Sequence, residues 1–436
     1  MQRYDSYKPS GIYFLSEFPS GWKIRKGKYL FNEENRPVHP GDEIVTCFRD
    51  GQVTLRKNRR VEGFTNSLKE IGYQGVRKGD LVIHNMDAFA GAIGISDSAG
   101  KATPVYSCCT PQSAEISQYY YCYLLRYLAR NGFILSLAKG IRERSTDFRF
   151  NDFKELYLPV PSRAEQDAIV SYLDTATAKI DAAIAQQQKM IDLLNERKQI
   201  IINRTVTKGL NPNAKMKDSG VEWIGEIPEG WEINKFKNLY KTRTGITFTK
   251  AELVEFGERV ISYGQIHSKD NWRASVNPEL IRYIPMTLTE GKIGALAEKG
   301  DFLFADTSED FEGCGNNVYI DTEEPIYAGY HTILAKCNNN QCGAYLAYLF
   351  ASTKWRGQIR SMVNGVKVYS ITQSIIKNAS VILPSIDEQK AIADYIKNRV
   401  IVIDKAIKSH YQKISLLQER KQIIINEVVT GKVKVI

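Results

Sequence analysis

The chain has 436 residues, and its 59 Lys and Arg against 49 Asp and Glu give a formal net charge of +10. At about 100–200 residues per domain, this length allows two to four domains. With 43% hydrophobic and 11% aromatic residues, the chain is too apolar for an intrinsically disordered polyelectrolyte. The surplus of basic residues favours a polyanionic partner, because Lys and Arg release counterions from phosphates. Many basic chains of this size, however, are simply soluble.

Membrane insertion and export are both disfavoured. The longest apolar run, Ala344–Ala351, is far shorter than the roughly 18 residues that a membrane span needs. Charged residues begin at Arg3, so the N-terminus lacks the pattern of a signal peptide. The chain has seven cysteines, an odd number, and Cys108 and Cys109 are adjacent, which is unlike an extracellular disulfide framework. We expect a cytoplasmic protein with reduced cysteines.

An internal repeat organises the sequence. A shift of 223 residues aligns 161–207 with 384–430 without a gap, and 24 of the 47 positions are identical. Weaker correspondences precede this block, such as Gly21-Trp22 with Gly230-Trp231. Each half therefore consists of a variable region of about 140 residues followed by a nearly constant segment.

The constant segments are predicted to be long helices, over 162–205 and 385–428. Each begins with a capping box, Ser162-x-x-Glu165 and Ser385-x-x-Glu388, in which the glutamate would reach back to the first residue of the box. Apolar residues then recur at steps of three and four, as in a coiled-coil seam. The seam positions are Ile180, Ile184, Gln187, Ile191, Leu194, Lys198 and Ile201, and in the second copy Ile403, Ile407, His410, Ile414, Leu417, Lys421 and Ile424.

The variable regions are predicted to be mixed α/β domains. Short apolar runs bounded by Gly and Asp, namely Leu81–Ile83, Phe302–Phe304 and Val318–Ile320, are typical of strands. Each region closes with an aromatic-rich helix, Tyr119–Ala129 and Ala344–Ala351, whose tyrosines we assign to the core. The expected fold class is α+β, with two tandem mixed α/β domains, each followed by a long helix.

Basic and amide side chains in both variable regions suggest DNA contacts. Arginine can bind guanine, lysine can bind phosphates, and Asn or Gln can pair with adenine. The candidates are Arg49, Arg56, Lys57, Arg59, Arg60, His84, Asn85, Arg142 and Arg144 in the first half, and Lys241, Arg243, Gln265, His267, Lys269, Lys367 and Tyr369 in the second. A run of charges is more often a solvated surface, but two such runs on two copies of one scaffold favour DNA binding.

The motifs of catalysis are missing from the sequence. No Gly-x-x-x-x-Gly-Lys-Ser/Thr loop occurs, and the Asn-Pro pair at 277–278 lacks the aromatic residue with which an adenine methyltransferase holds a flipped base. Cys337 and Cys342 have no second close pair for zinc. The acidic run 306–312 could bind Mg²⁺ in a nuclease, but it has no suitably placed lysine and is better interpreted as a solvated or base-reading loop.

The repeated motifs resemble those of the specificity subunits of type I restriction-modification enzymes. They are Leu-Pro-Val-Pro-Ser-x-x-Glu-Gln (158–166), Leu-Pro-Ser-x-x-Glu-Gln (383–389), the duplicated Leu-Leu-x-Glu-Arg-Lys-Gln and Pro-x-Gly-Trp. The resemblance implies two target recognition domains, each reading one half of a bipartite, asymmetric DNA site. It also implies that the two helices pair as an antiparallel coiled coil with pseudo-two-fold symmetry and set the spacer. The implied first recognition domain is 1–157, and its helix is 158–208. The linker and the second recognition domain span 209–382, and the second helix with the C-terminal tail spans 383–436.

The same resemblance implies partners that carry out the chemistry. Two methylation subunits would bind S-adenosylmethionine, and restriction subunits would use ATP and Mg²⁺, while this chain binds double-stranded DNA and no cofactor or metal of its own. The resemblance suggests docking of the methylation subunits on the helices at Glu165, Gln166, Arg197, Lys198, Glu388, Gln389, Arg420 and Lys421. Two alternatives stay open from the sequence: a self-contained architectural or regulatory DNA-binding protein, and a Mg²⁺ nuclease built around Asp306.

Overall fold

A computed structural model describes residues 2–59, 70–137, 147–338, 340–365 and 367–435. The chain forms two compact units: unit 1 contains residues 1–187 and 412–436, and unit 2 contains residues 188–411. Each of the two long helices therefore contributes one part to each unit. The predicted division at 157, 208 and 382 stays a prediction, since it separates the chain by segment rather than by unit.

Unit 1 begins with a variable region that is mostly β-structure. Its strands are β1 (Tyr7–Ile12), β2 (Leu15–Pro19), β3 (Lys23–Lys26), β4 (Phe31–Glu34), β5 (Val45–Cys47), β6 (Val53–Leu55), β7 (Gln74–Val76), β8 (Leu81–His84), β9 (Ile93–Ile95), β10 (Gly100–Ala102), β11 (Tyr106–Pro111) and β12 (Tyr157–Val160). Its helices are α1 (Gln118–Arg130), α2 (Phe133–Ser136) and α3 (Phe150–Phe153), followed by the long helix α4 (Arg163–Lys208), which continues into unit 2.

Unit 2 repeats this plan with additions. Its strands are β13 (Met216–Asp218), β14 (Glu226–Pro228), β15 (Glu232–Lys235), β16 (Tyr240–Thr244), β17 (Glu258–Ile261), β18 (Arg282–Ile284), β19 (Leu296–Ala297), β20 (Phe302–Ala305), β21 (Thr307–Ser308), β22 (Asn317–Tyr319), β23 (Ile326–Ala328), β24 (Thr332–Cys337), β25 (Tyr369–Ser370) and β26 (Ser380–Leu383). Its helices are α5 (Phe236–Leu239), α6 (Tyr263–Ile266), α7 (Gly343–Ala351), α8 (Thr353–Arg360), α9 (Gln373–Asn378) and α10 (Ile386–Val429), whose last part belongs to unit 1.

Each unit is built around one four-stranded antiparallel sheet. The strand order is β4-β11-β8-β9 in unit 1 and β16-β24-β20-β22 in unit 2. Unit 2 has a second sheet, β18-β17-β23-β19, in which β17 and β23 are parallel. The predicted strands at Leu81–Ile83 and Phe302–Phe304 are β8 and β20, the central strands of the two antiparallel sheets, and nearly all of their side chains are buried.

The long helices pack together in both units, which confirms the predicted fold class. In unit 1, Leu173 of α4 shares a core with Val428 of α10. In unit 2, Ile202 and Val206 of α4 share a core with Ile396 of α10. Early residues of one helix thus meet late residues of the other, so the segments run antiparallel in each unit.

The predicted seam is buried or half-buried along its length, and the fully buried position shifts near the helix ends. Ile180, Ile191 and Ile403 are buried, whereas Ile202 and Ile425 are buried in place of the predicted Ile201 and Ile424. The reason is that these ends contact the core of a variable region as well as the partner helix, and that core lies toward a different face. Each aromatic helix packs in the same cores, where Tyr120, Tyr121 and Tyr345 are fully buried. Their burial agrees with the assignment of these three tyrosines to the core, whereas the assignment is wrong for Tyr119, which is 46% exposed at the start of α1.

Two further features of the chain bear on its class. No helix among the described residues is long and apolar enough to cross a membrane. All seven cysteines are free thiols.

Candidate nucleic-acid interface

Within each unit, several candidate DNA-contacting residues lie at the corresponding edge of that unit's own central sheet. The register that places His84 opposite Tyr106 in unit 1 places Ala305 opposite Thr332 in unit 2. Asn85 and Asp306, the residues that follow the central strands, are therefore equivalent.

At this edge, a later segment of each unit forms a backbone hydrogen bond with the residue that follows the central strand. The N–H of Phe148 donates to the carbonyl of Asn85 at 3.0 Å, and the N–H of Ile371 donates to the carbonyl of Asp306 at 2.7 Å. Four predicted DNA contacts precede these residues closely in the sequence, two in each half. Arg142 and Arg144 lie outside the described residues, whereas Lys367 and Tyr369 are described. We call this part of each unit the reading edge.

In unit 1 the reading edge brings together Arg49, His84 and Asp87. Arg49 lies in the turn between β5 and β6, and its guanidinium contacts the Asp87 carboxylate at 2.8 Å while its side chain stays 63% exposed. Burial lowers the pKa of His84, so its imidazole is neutral at pH 7 and faces Tyr106 edge-on at 4.7 Å. His84 therefore offers a neutral hydrogen-bonding group rather than a positive charge.

Asn85 does not present its amide to an external base. The residue is 4% exposed, and its Oδ1 accepts a hydrogen bond from the Ser107 hydroxyl at 3.1 Å. Its main chain also binds Val105 and Phe148. Asn85 thus supports the reading edge from inside, which corrects its assignment as a direct DNA contact.

The other predicted basic contacts of unit 1 that the structure describes lie just after strand β6, and each has a partner in or near the β5–β6 hairpin. Lys57 pairs with Glu43, Arg59 pairs with Asp50 at 2.7 Å and covers the Phe48 ring at 4.2 Å, and Arg56 donates to Thr46 at 3.3 Å. Although partial burial of Asp50 opposes it, hydrogen bonds from the Gln52 N–H and Arg59 lower the pKa of Asp50. Arg60 lies outside the described residues. These cations remain DNA-contact predictions, with part of their charge neutralised in the free protein.

In unit 2, two predicted contacts have structural roles. Gln265 accepts the Ser262 N–H at 3.0 Å and caps helix α6. His267 bridges from Nε2 to the Thr307 carbonyl at 2.8 Å and from Nδ1 to Asn316 at 3.0 Å, so it holds the loop 306–316 in place. Both side chains are half-buried and engaged within the unit.

The remaining predicted residues of unit 2 are accessible. Lys241, Lys269 and Lys367 are exposed, and Tyr369 is half-buried on β25 with its ring 5.6 Å from that of Phe311. Arg243 lines a cleft of about 430 Å³ together with Lys292 and the backbone of three glycines. This cleft shares Thr244 with a second cleft of about 240 Å³, which contains Asp306, Thr307 and His331.

That second cleft was missed as a site from the sequence. In the sequence, Asp306 stands out only as part of an acidic run, and His331 belongs to none of the motifs described above. Their carboxylate and imidazole meet at 2.8 Å because β20 and β24 are paired, which no local pattern reveals. Within the described part of the chain, no three His, Cys, Asp or Glu side chains are grouped to hold a metal ion. The acidic run therefore does not converge around Asp306.

On the helices, four of the residues predicted to dock partner subunits are anchors within a unit. Gln166 and Gln389 are fully buried, and their amides bind backbone groups of the loops before α1 and α7. Glu165 accepts the Trp22 indole N–H, and Glu388 accepts that of Trp231, both at 2.9 Å. Because Gln166 and Gln389 are inaccessible, they cannot form an external docking surface, which corrects that prediction for these two residues.

The other four docking residues lie on the paired helices. Lys198 binds Asp404 at 2.8 Å, and Lys421 binds Asp181 at 2.6 Å. Arg197 and Arg420 are exposed. Each arginine lies between two exposed apolar residues, Leu193 and Ile200 in one copy and Leu416 and Ile423 in the other, which are 47–64% exposed. Spacings of four and three residues put each trio on one face of its helix. We call this the Leu-Arg-Ile face.

Comparisons with known proteins agree with this architecture. Residues 228–417 match the family model of the type I restriction modification DNA specificity domain. The chain is 24% identical to the putative type I restriction enzyme MjaX specificity subunit of Methanocaldococcus jannaschii, over 97% of this chain and 96% of that one. It is 25% identical to the MjaVIII specificity subunit of the same organism, over 70% of this chain and 68% of the relative.

The fold has a solved counterpart. A chain from a structure described as the basis of complex assembly and conformational transition of the type I R-M system superposes with a TM-score of 0.68. The match covers 95% of this chain and 99% of that one at 14% identity, so it bears on the fold alone. Over residues 228–417 the chain thus matches the type I DNA specificity domain, and over most of its length it is similar to type I restriction enzyme specificity subunits.

Proposed function

We propose that this chain is the non-catalytic DNA specificity subunit of a type I restriction-modification complex, in which unit 1 and unit 2 each read one half of a bipartite, asymmetric site. The observation that carries this is the reading edge, which occurs once in each unit at the end of an equivalent strand but with different side chains. In unit 1 the residue at this edge is the buried Asn85, which supports the edge from inside. In unit 2 the equivalent residue is the half-exposed Asp306.

Two diverged copies of one reader suit an asymmetric site. A symmetric dimer presents identical side chains to both half-sites and so selects a palindrome. Here the first edge offers Arg49 and a neutral His84, and the second offers Tyr369 and Lys367. Sequence is read through side chains at base edges, so different side chains imply different half-sites.

We further propose that methylation subunits dock on the Leu-Arg-Ile face. Exposed Leu and Ile on an otherwise polar helix surface are typical of an interface, and arginine is enriched at such surfaces. One copy of the face lies in unit 2 (193–200) and the other in unit 1 (416–423). The duplication supports two identical partners, one for each copy. The partners would supply S-adenosylmethionine, and restriction subunits would supply ATP and Mg²⁺ chemistry.

The paired helices would also set the spacer of the DNA site. Helix α4 has 46 residues, so at 1.5 Å per residue it is about 70 Å long. Two DNA readers joined by helices of fixed length would match half-sites at a fixed spacing.

The function is tested by mapping modified bases in genomic DNA of the source strain with and without this gene. We expect adenine methylation at one bipartite motif to disappear when the gene is deleted and to return when the intact gene is supplied. A motif that stays methylated after deletion would contradict the proposal. Full sequence-specific affinity of the purified chain without any partner would instead favour the self-contained regulatory protein.

The docking face is tested with paired substitutions. Ile200→Ser with Ile423→Ser should lower co-purification of the methylation subunit at least tenfold, because both copies lose a buried apolar contact of about 1.5–3 kcal/mol. The matched control is Val402→Ser, which removes an apolar side chain that is 66% exposed on the same helix but has no repeated counterpart. Equal co-purification of the paired variant and the control would contradict docking at this face.

A further inference from the structure

The cleft at the reading edge of unit 2 is lined almost entirely by polar side chains. Its volume is about 240 Å³, and Ile333 and Ile371 are its apolar lining residues. The polar lining residues include Asp306, Thr307, His331, Ser370 and Gln373. Converging polar groups in a concave site can fix the orientation of a group that binds there.

Asp306 and His331 form the centre of the cleft. Nδ1 of His331 and the hydroxyl of Thr307 both bind the same carboxylate oxygen of Asp306, at 2.8 and 2.7 Å. These contacts fix the carboxylate and, by occupying Nδ1, orient the imidazole. Gln373 is held by Thr242 and Thr244, so the wall of the cleft is fixed as well.

Asp306 and His331 each keep one hydrogen-bonding atom that is not engaged within the described residues. Within the described part of the chain, no hydrogen bond engages Oδ2 of Asp306 or Nε2 of His331. The side chains are 29% and 38% exposed, so both can be reached from outside. The pair therefore presents a carboxylate acceptor beside an imidazole nitrogen.

The backbone at His331 is held in an uncommon conformation. Its φ is +53°, in the left-handed region that non-glycine residues rarely adopt. Such strain costs of the order of 1–3 kcal/mol and is typical of residues placed for a function. Here it places the imidazole over Asp306 and against the rings of Tyr263 and Tyr330, at 5.5 and 4.1 Å.

The surroundings make this cleft accessible to DNA despite its carboxylate. The neighbouring cleft of about 430 Å³, which shares Thr244, carries Arg243 and Lys292. Both cations are exposed and can bind phosphates, which leaves the acceptor atoms of the pair available to a base. Acidic side chains do contact DNA in this way, by accepting hydrogen bonds from exocyclic amino groups.

We propose that Asp306 and His331 are a base-reading pair that recognises a base presenting its exocyclic amino group in the major groove, adenine or cytosine, in the half-site of unit 2. This inference rests on the proposed function and goes beyond it by naming the specificity-determining residues. Unit 1 has no counterpart to the pair: the equivalent of Asp306 is the buried Asn85, and the equivalent of His331 is Val105.

The test compares Asp306→Asn with Glu309→Gln in the full complex with its methylation subunits. Both substitutions remove one negative charge from the same loop, but Glu309 is exposed and does not line the cleft. We expect Asp306→Asn to weaken binding of the native site roughly 5- to 150-fold and to relax one base position of one half-site, which is the range for a lost base contact. His331→Asn, which tolerates a positive φ, should relax the same position.

Base analogues then separate adenine from cytosine at that position. A duplex with purine in place of adenine, or 2-pyrimidinone in place of cytosine, lacks only the amino group. For whichever base is read, the wild-type complex should lose the same factor as Asp306→Asn, and the variant should lose nothing further.

The outcomes distinguish this inference from the proposed function. Unchanged readout at the other half-site shows that the variant complex is folded. If Asp306→Asn behaves like Glu309→Gln, or if neither analogue affects binding, the base-reading pair is overturned while the gene-dependent bipartite motif still stands. If the wild-type complex has no bipartite motif, the proposed function itself fails.

Discussion

Single glutamates connect each long helix to the start of its variable region. The carboxylate of Glu165 accepts hydrogen bonds from the Trp22 indole and, at 2.5 Å, from the Tyr4 hydroxyl. Glu388 accepts from Trp231 in the same way. The two tryptophans are only 1–2% exposed, so each indole N–H depends on this one acceptor. Burial and the bond to Glu165 raise the pKa of Tyr4, which keeps its phenol protonated as a donor.

Removal of this acceptor should destabilise the unit that contains it. Glu165→Ala leaves a buried indole N–H without a partner, which costs about 1–3 kcal/mol in the free energy of unfolding. Glu165→Gln keeps an acceptor oxygen and should cost less. Chemical denaturation monitored by tryptophan fluorescence measures both, with the exposed Glu196→Ala as control. If Glu165→Ala unfolds at the same denaturant concentration as the control, the indole contact contributes nothing to stability.

The contacts of Glu165 and Glu388 show which interactions local sequence patterns can predict. The predicted cap is confirmed on one side: the N–H of Glu165 donates to the Ser162 hydroxyl at 3.4 Å, and Glu388 repeats this with Ser385. The glutamate side chain, however, binds Trp22, which is 143 positions away, rather than completing the box. Spacing can predict a contact within one turn of helix, but not one formed by distant segments.

At the scale of elements, two ion pairs join the long helices at equivalent places. Lys198 binds Asp404, and Lys421 binds Asp181. The repeat shift of 223 residues carries each residue of one pair onto a residue of the other, Asp181 onto Asp404 and Lys198 onto Lys421. Both lysines occupy seam positions, where a polar residue weakens packing but can specify register. The pairs therefore select the antiparallel register in which lysine meets aspartate in both units.

Charge reversal tests this role. Asp404→Lys places two lysines side by side and should lower the melting temperature of the chain by a few degrees, since each half-exposed pair contributes up to about 1 kcal/mol. Adding Lys198→Asp should recover most of the loss. A double-mutant cycle on thermal unfolding measures the coupling between the two sites. A coupling energy of zero would show that apolar seam residues alone set the register.

Elements with strong periodicity could be located from the sequence, and the connections between them could not. The predicted helices 162–205 and 385–428 correspond to α4 at Arg163–Lys208 and α10 at Ile386–Val429. Their approximate boundaries follow from the repeat and its capping boxes. The cleft of Asp306 and His331 instead depends on the pairing of β20 with β24, which is set by the packing of the whole sheet.

For the whole molecule, the net charge of +10 says little about where DNA binds. Several of the basic residues that were predicted from charge runs are paired with carboxylates, such as Arg49 with Asp87 and Arg59 with Asp50. Counterion release depends on cations that lie against phosphates, not on the total charge. Placement of cations at the reading edges therefore matters more than their number.

Salt dependence should identify which cations bind phosphates. Arg243→Ala and Lys292→Ala each remove one cation from the cleft beside the base-reading pair. Each should weaken binding of the native site and of random DNA by similar factors and reduce the slope of log affinity against log salt by about one, because a phosphate contact carries no sequence information. The control is Lys299→Ala, since Lys299 is half-exposed but paired with Glu323 outside the cleft. If either cleft variant lowers only the specific affinity and leaves the salt slope unchanged, that cation reads a base rather than a phosphate. The assignment of phosphate contacts to one cleft and base contacts to its neighbour would then be wrong.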